Sequence, residues 1–160
     1  MNQNDYIELA ARSFNNLLGH LDQLSEGFSQ TRRRDLEESL LDEIRLVWTR
    51  LAWADGRIGE GEEALLQRIA EVAKARGLQF APYRHPDLGT LPVFLQLASE
   101  ESHLAAAYMI SQIETFGFAL LAADGQVGGA ELQLLGEYLH RRREQTLAPS
   151  SAAERVLQLA

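Results

Sequence analysis

The apolar residues of this chain recur every three or four positions over most of its length, the period of helices that bury one face. Ile7, Ala11, Phe14, Leu18, Leu21 and Leu24 form a first stripe, and Leu36, Leu40, Ile44, Val47, Trp48 and Leu51 a second. Leu65, Leu66, Ile69, Val72 and Ala73 form a third, with Gly77 placed where that helix would need a left-handed C-terminal cap. Pro82, Pro86 and Gly89 break the chain between 77 and 90, and a new helix is predicted from Leu91-Pro92, since proline is tolerated in a first turn. Leu104, Tyr108, Ile110, Ile113, Phe116, Leu120 and Leu121 mark a long, mostly buried helix, and Leu132, Leu135 and Leu139 the next. Ser151-Ala152-Ala153-Glu154 has the form of a capping box, opening a short terminal helix with Val156 and Leu157. No stretch alternates with a period of two for long enough to argue a strand. The expected fold is all-α, a bundle of about six or seven helices.

Two stretches match at an offset of 69 residues. Leu51-Ala52-Trp53-Ala54-Asp55-Gly56-Arg57-Ile58, followed by Gly59-Glu60-Gly61-Glu62, aligns with Leu120-Leu121-Ala122-Ala123-Asp124-Gly125-Gln126-Val127, followed by Gly128-Gly129-Ala130-Glu131. At the same offset Ile44 matches Ile113, and Leu65-Leu66 matches Leu134-Leu135. The shared pattern is A-D-G-x-[I/V]-x-x-x-E, ending one helix and opening another. The simplest reading is two related helix-loop-helix units, about 36–76 and 104–142, packed about a pseudo-two-fold axis within a single domain over 1–160. An N-terminal helix over 5–28 and a C-terminal helix over 151–159 are additions to that core.

Composition narrows the chemistry. At 160 residues, 46% of them hydrophobic, the chain suits one domain with a core large enough to need no disulfide or metal. With no cysteine, a disulfide scaffold, thiol catalysis and a cysteine zinc site are excluded. The net charge of −8 disfavours broad contact with phosphate backbones, and points instead to a cation or a basic partner. No apolar run approaches the roughly 20 residues of a membrane span, and the polar, acidic start Met1-Asn2-Gln3-Asn4-Asp5 is no signal peptide. The expectation is a cytoplasmic domain without a transmembrane segment.

The residues of the repeated pattern have structural work to do. The alanine before Asp-Gly lets two helices approach, and the glycine permits positive φ where the first helix ends. Ile58 and Val127 are expected to plug the loops onto the core. The glutamate falls in the first turn of the next helix, where the dipole favours negative charge, and the aspartate can accept hydrogen bonds from loop N–H groups. The other reading is a cation site. Asp55, Gly56, Ile58 and Glu62 have the spacing of positions 5, 6, 8 and 12 of an EF-hand loop, but Leu51 and Trp53 then occupy positions 1 and 3, as Leu120 and Ala122 do in the second unit. An ordinary EF-hand is excluded. What remains is a half-site in each unit, and convergent loops would let Asp55, Glu62, Asp124 and Glu131 share one hard cation or present an acidic patch to a protein.

With this motif duplicated in register over about residues 36 to 142, the sequence resembles the TerB-like domains, which include the tellurite-resistance protein and the N-terminal region of a membrane-anchored J-domain co-chaperone. The resemblance implies an all-helical bundle with internal pseudo-symmetry, acting as a non-enzymatic cytoplasmic adaptor in stress or metal response. It also implies a metal-binding acidic cluster, which falls on Asp55, Glu62, Asp124 and Glu131, for a divalent cation such as Ca²⁺, Mg²⁺ or Zn²⁺. This chain departs from the family by carrying glycines (Gly59, Gly61, Gly128, Gly129) where members often have more acids.

Other constellations are weaker. His85-Pro86-Asp87 is the J-domain tripeptide, but Pro82 interrupts the helix that should lead into it. Glu100-x-x-His103 and Glu137-x-x-His140, with Glu43 and Glu71, are the material of a di-iron carboxylate bundle, the one enzyme alternative. Arg141-Arg142-Arg143 reads as an exposed helix end, and Arg32-Arg33-Arg34 as a possible contact for a small anion or acidic protein. His20, His85, His103 and His140 are too scattered for zinc. Trp48 is expected in the core and Trp53 over the loop. No phosphate loop, nucleophile elbow or Ser/His/Asp arrangement occurs. The expected partner is a protein of unknown identity, without sequence-specific nucleic-acid binding. A homo-oligomer through the edge formed by Val156, Leu157 and Leu159 is an alternative contact.

Overall fold

Asn2 opens the first helix with a reciprocal cap. Its side chain accepts from Asp5 N at 3.0 Å while the Asp5 carboxylate accepts from Asn2 N at 2.9 Å, so two donors that the helix cannot satisfy are paired. In this computed structural model, which describes residues 1–54, 56–78, 88–125 and 127–147, helix α1 then runs over Gln3–Leu24. Ser29 caps α2 (Gln30–Ala52), its side chain accepting from Arg32 N at 3.2 Å. Next come α3 (Glu60–Ala75), α4 (Val93–Glu101), α5 (His103–Ala123) and α6 (Gly129–Leu147). Gly77 follows α3 with φ +75°, the left-handed cap expected of it. Pro92 is the N-cap of α4 rather than a residue of its first turn. Among the described residues the regular structure is these six helices, so the fold is the expected all-α bundle. The terminal helix expected over 151–159 lies outside the described residues, as does His85-Pro86-Asp87.

Helices α5 and α2 each touch all the others, and the longest shared face is that of α5 with α1. Phe14, Leu17 and Leu18 of α1, Leu40 and Ile44 of α2, Leu65 and Ile69 of α3, Phe94 of α4 and Met109, Ile113 and Phe116 of α5 form one continuous buried cluster. Against the sequence expectation, α5 is long and apolar enough to cross a membrane, with a mean hydropathy of 1.4, although 56% of that stretch is buried within the bundle. The uniform apolarity follows from its place between neighbours on several sides. Not all of its stripe is covered, since Tyr108 stands exposed, as does Leu132 on α6.

The Arg141-Arg142-Arg143 run corrects the sequence reading most sharply. Arg142 is fully buried, and so is Glu43 of α2. The guanidinium meets the carboxylate in a fork, Nε to Oε2 at 2.7 Å and Nη2 to Oε1 at 2.9 Å. The Tyr138 hydroxyl donates to the same carboxylate at 2.8 Å. Arg142 Nη1 donates to Thr90 O at 3.0 Å, Leu88 O at 3.2 Å and Gln145 Oε1 at 2.9 Å. One side chain thereby ties α6 to α2 and to the segment leading into α4. Burial works against the Arg142 charge, but hydrogen bonds and charge from Glu43 outweigh it and hold the guanidinium pKa above its ordinary value. Burial first, then the Glu43 charge, pushes the Tyr138 phenol well above its ordinary value of 10.0.

The other arginine run is also engaged within the fold. Arg32 lies over the Phe28 ring at 4.0 Å, Arg33 approaches Asp22 at 3.7 Å, and Arg34 donates to Gly77 O at 2.9 Å. These contacts, partly with the exposed C-terminal end of α3, offset a charge placed at a helix start.

Candidate functional site

The two loops carrying the repeated pattern share four backbone contacts, two in each, and two positive-φ glycines, although α2 ends at Ala52 and α5 at Ala123, two positions later in the 69-residue register. Gly56 has φ +80°, four residues past the end of α2, and Gly125 φ +73°, two past the end of α5. Gly56 N donates to Trp53 O at 3.0 Å, and Gly125 N to Ala122 O at 3.0 Å. Further on, Glu63 N donates to Gly59 O at 3.1 Å and Leu132 N to Gly128 O at 3.1 Å. All four contacts are related by the offset of 69 residues seen in the sequence.

The glutamates do the work of caps. Glu62 is the third residue of α3, and its Oε1 accepts from Gly59 N at 3.3 Å, half of a capping box in which glycine supplies no side chain. It is buried, and its backbone carbonyl accepts from Trp48 Nε1 at 2.9 Å. That bond explains why Trp48 is only partly buried, since its ring spans from the core to the rim of the loop. Glu131 turns back in the same way, its carboxylate filling the space where a Cβ on Gly128 would stand. Acids in these positions also meet the positive end of the helix dipole.

The loops meet at one end of the bundle. Asp124 caps α5, and its carboxylate lies against Gly59, the N-cap of α3, in the space that a Cβ on Gly59 would need. Two residues on, Gly61 packs directly onto the Ala123 carbonyl, leaving no room for a side chain. Gln3 Nε2 donates to that carbonyl at 3.0 Å, which fixes the start of α1 at the same place. Gly59 and Gly61 therefore serve close approach rather than unusual backbone angles, and the start of α3 rests on the end of α5. The negative Asp124 side chain at the α3 N-terminus complements the dipole there.

Of the four acids singled out in the sequence, Glu62, Asp124 and Glu131 fall at this end, while Asp55 lies outside the described residues. Among the described residues no group of three or more His, Asp or Glu side chains is arranged to hold a metal ion. The apolar residues of the pattern differ between units. Ile58 is partly buried as a plug should be, whereas Val127 is 46% exposed. Ala123 is buried at the close contact with Gly61, whereas Ala54 is exposed. Trp53 stands half exposed as the C-cap of α2. The loop end thus carries an acidic side chain at a helix start, with Trp53 and Val127 exposed on the two loops.

The di-iron ligand set does not assemble. Ser102 ends α4 and caps α5, its hydroxyl accepting from Ala105 N at 3.0 Å, so Glu100 and His103 lie on different helices. Glu137 and His140 are exposed on α6, with His140 at 3.1 Å from Glu144. Glu43 is held by Arg142, and Glu71 is exposed beside Arg68 at 3.6 Å. His20, outside that set, meets the Tyr108 ring with centroids 4.9 Å apart and planes tilted by 53°. Compared with protein-family models, curated proteins and solved structures, the chain matches none of them.

Proposed function

We propose that this protein is a non-enzymatic binding domain of the TerB-like kind, an adaptor whose recognition surface is the end of the bundle where the two loops meet. The observation that carries the reading is the seating of the Asp124 carboxylate on Gly59 at the start of α3, which brings the second acidic loop against the first. The four backbone contacts and the positive-φ glycines related by an offset of 69 residues support descent from a doubled helix-loop-helix unit, with equivalent bends carrying equivalent acids. A chain of net charge −8 with carboxylates and half-exposed Trp53 at that end suits a basic protein segment. Glu62 and Glu131 are used by their own helices, so a divalent cation would have to displace cap contacts or rely on the aspartates. For that reason the protein partner is the first reading and the cation the second. The family resemblance adds a setting in stress or metal response in the cytoplasm.

The test is a comparison of wild type with Asp55→Asn/Asp124→Asn. Thermal unfolding is followed with and without Ca²⁺, Mg²⁺ or Zn²⁺, and binding of a lysine-rich peptide is followed at low and high salt. Salt-sensitive peptide binding that the double variant loses supports the adaptor reading. Cation-induced stabilisation that disappears in the variant supports the second. Peptide binding and cation response both unchanged in the variant would remove this surface from the account.

A further inference from the structure

We draw no further inference here: the strongest candidate, the apolar groove between α5 and α6 lined by Phe118, Leu132 and Leu139, carries nothing because nothing in the structure shows what covers it.

Discussion

Replacing Arg142 by methionine should be among the most damaging single changes in this protein. Methionine keeps helix propensity and much of the volume, so the loss is chiefly electrostatic and hydrogen-bonding. It strands a fully buried Glu43 carboxylate with Tyr138 as its remaining bonded donor and strips a donor from Thr90 O. Leu88 O keeps the Gln145 side-chain donor at 2.8 Å. Removing one partner of a buried pair costs about 3–5 kcal/mol. At about 2–4 °C per kcal/mol for a domain of this size, Tm should fall by roughly 6–20 °C. Glu43→Gln should cost a similar amount, because it leaves the guanidinium charge buried without a counter-charge. Replacing both, Glu43→Leu with Arg142→Met, removes the charges together and should be milder than either single change. It should still fall below wild type, since Thr90 O loses its arginine donor and the Tyr138 hydroxyl its acceptor. Urea unfolding at neutral pH, with the slope checked for constancy, gives the four stabilities. A single variant within about 1 kcal/mol of wild type would mean that the pair does not hold α6 to α2, because a buried, unpaired charge cannot be that cheap.

Three further outcomes follow from the same contacts. Gly61→Ala should destabilise by about 1–3 kcal/mol, although alanine is the better helix former, because its Cβ meets the Ala123 backbone rather than a movable side chain; denaturant midpoints check it. Gly59→Ala should cost less, since the group in the way is the end of the Asp124 side chain, which can swing out. Tyr138 should not titrate with the exposed phenols. Its raised folded pKa means that its contribution is complete below the unfolded value of about 10 and is lost as pH rises through the folded value; phenolate absorbance should show it ionising only with unfolding, a phase that Tyr138→Phe removes.

Much of the bundle was legible because helices that bury one face must repeat apolar residues at helical spacing. The stripe of α1, the Gly77 stop and the start near Leu91-Pro92 all follow from it. A separate helix from about Leu104 was expected, but the Ser102 cap that opens it was not singled out, though serine before His-Leu-Ala-Ala is itself a capping signal, and that break separates Glu100 from His103. Arg142 was misread because three adjacent arginines look like a solvated end, while successive residues on a helix point about 100° apart and only one of three need turn inward. A signal existed on the other side of the pair. Glu43 stands three residues after Leu40 and four before Val47, inside the apolar stripe of α2, where a lone acid requires a partner. The roles of Gly59 and Gly61 were not readable, because close approach between loops distant in sequence depends on tertiary packing. Ile58 and Val127 look equivalent in sequence, yet only Ile58 is partly buried, since the neighbours of the two loops differ.

In the proposed reading the two loops form one binding end. Its most direct test is a residue-resolved amide titration of the full chain with a lysine-rich peptide, repeated with Ca²⁺, Mg²⁺ and Zn²⁺. Saturable shifts should appear together around 56–63 and 124–132, with one common affinity, for the peptide or for one of the cations. Shifts confined to a single loop, or lying elsewhere on the bundle while both loops stay silent, would contradict it.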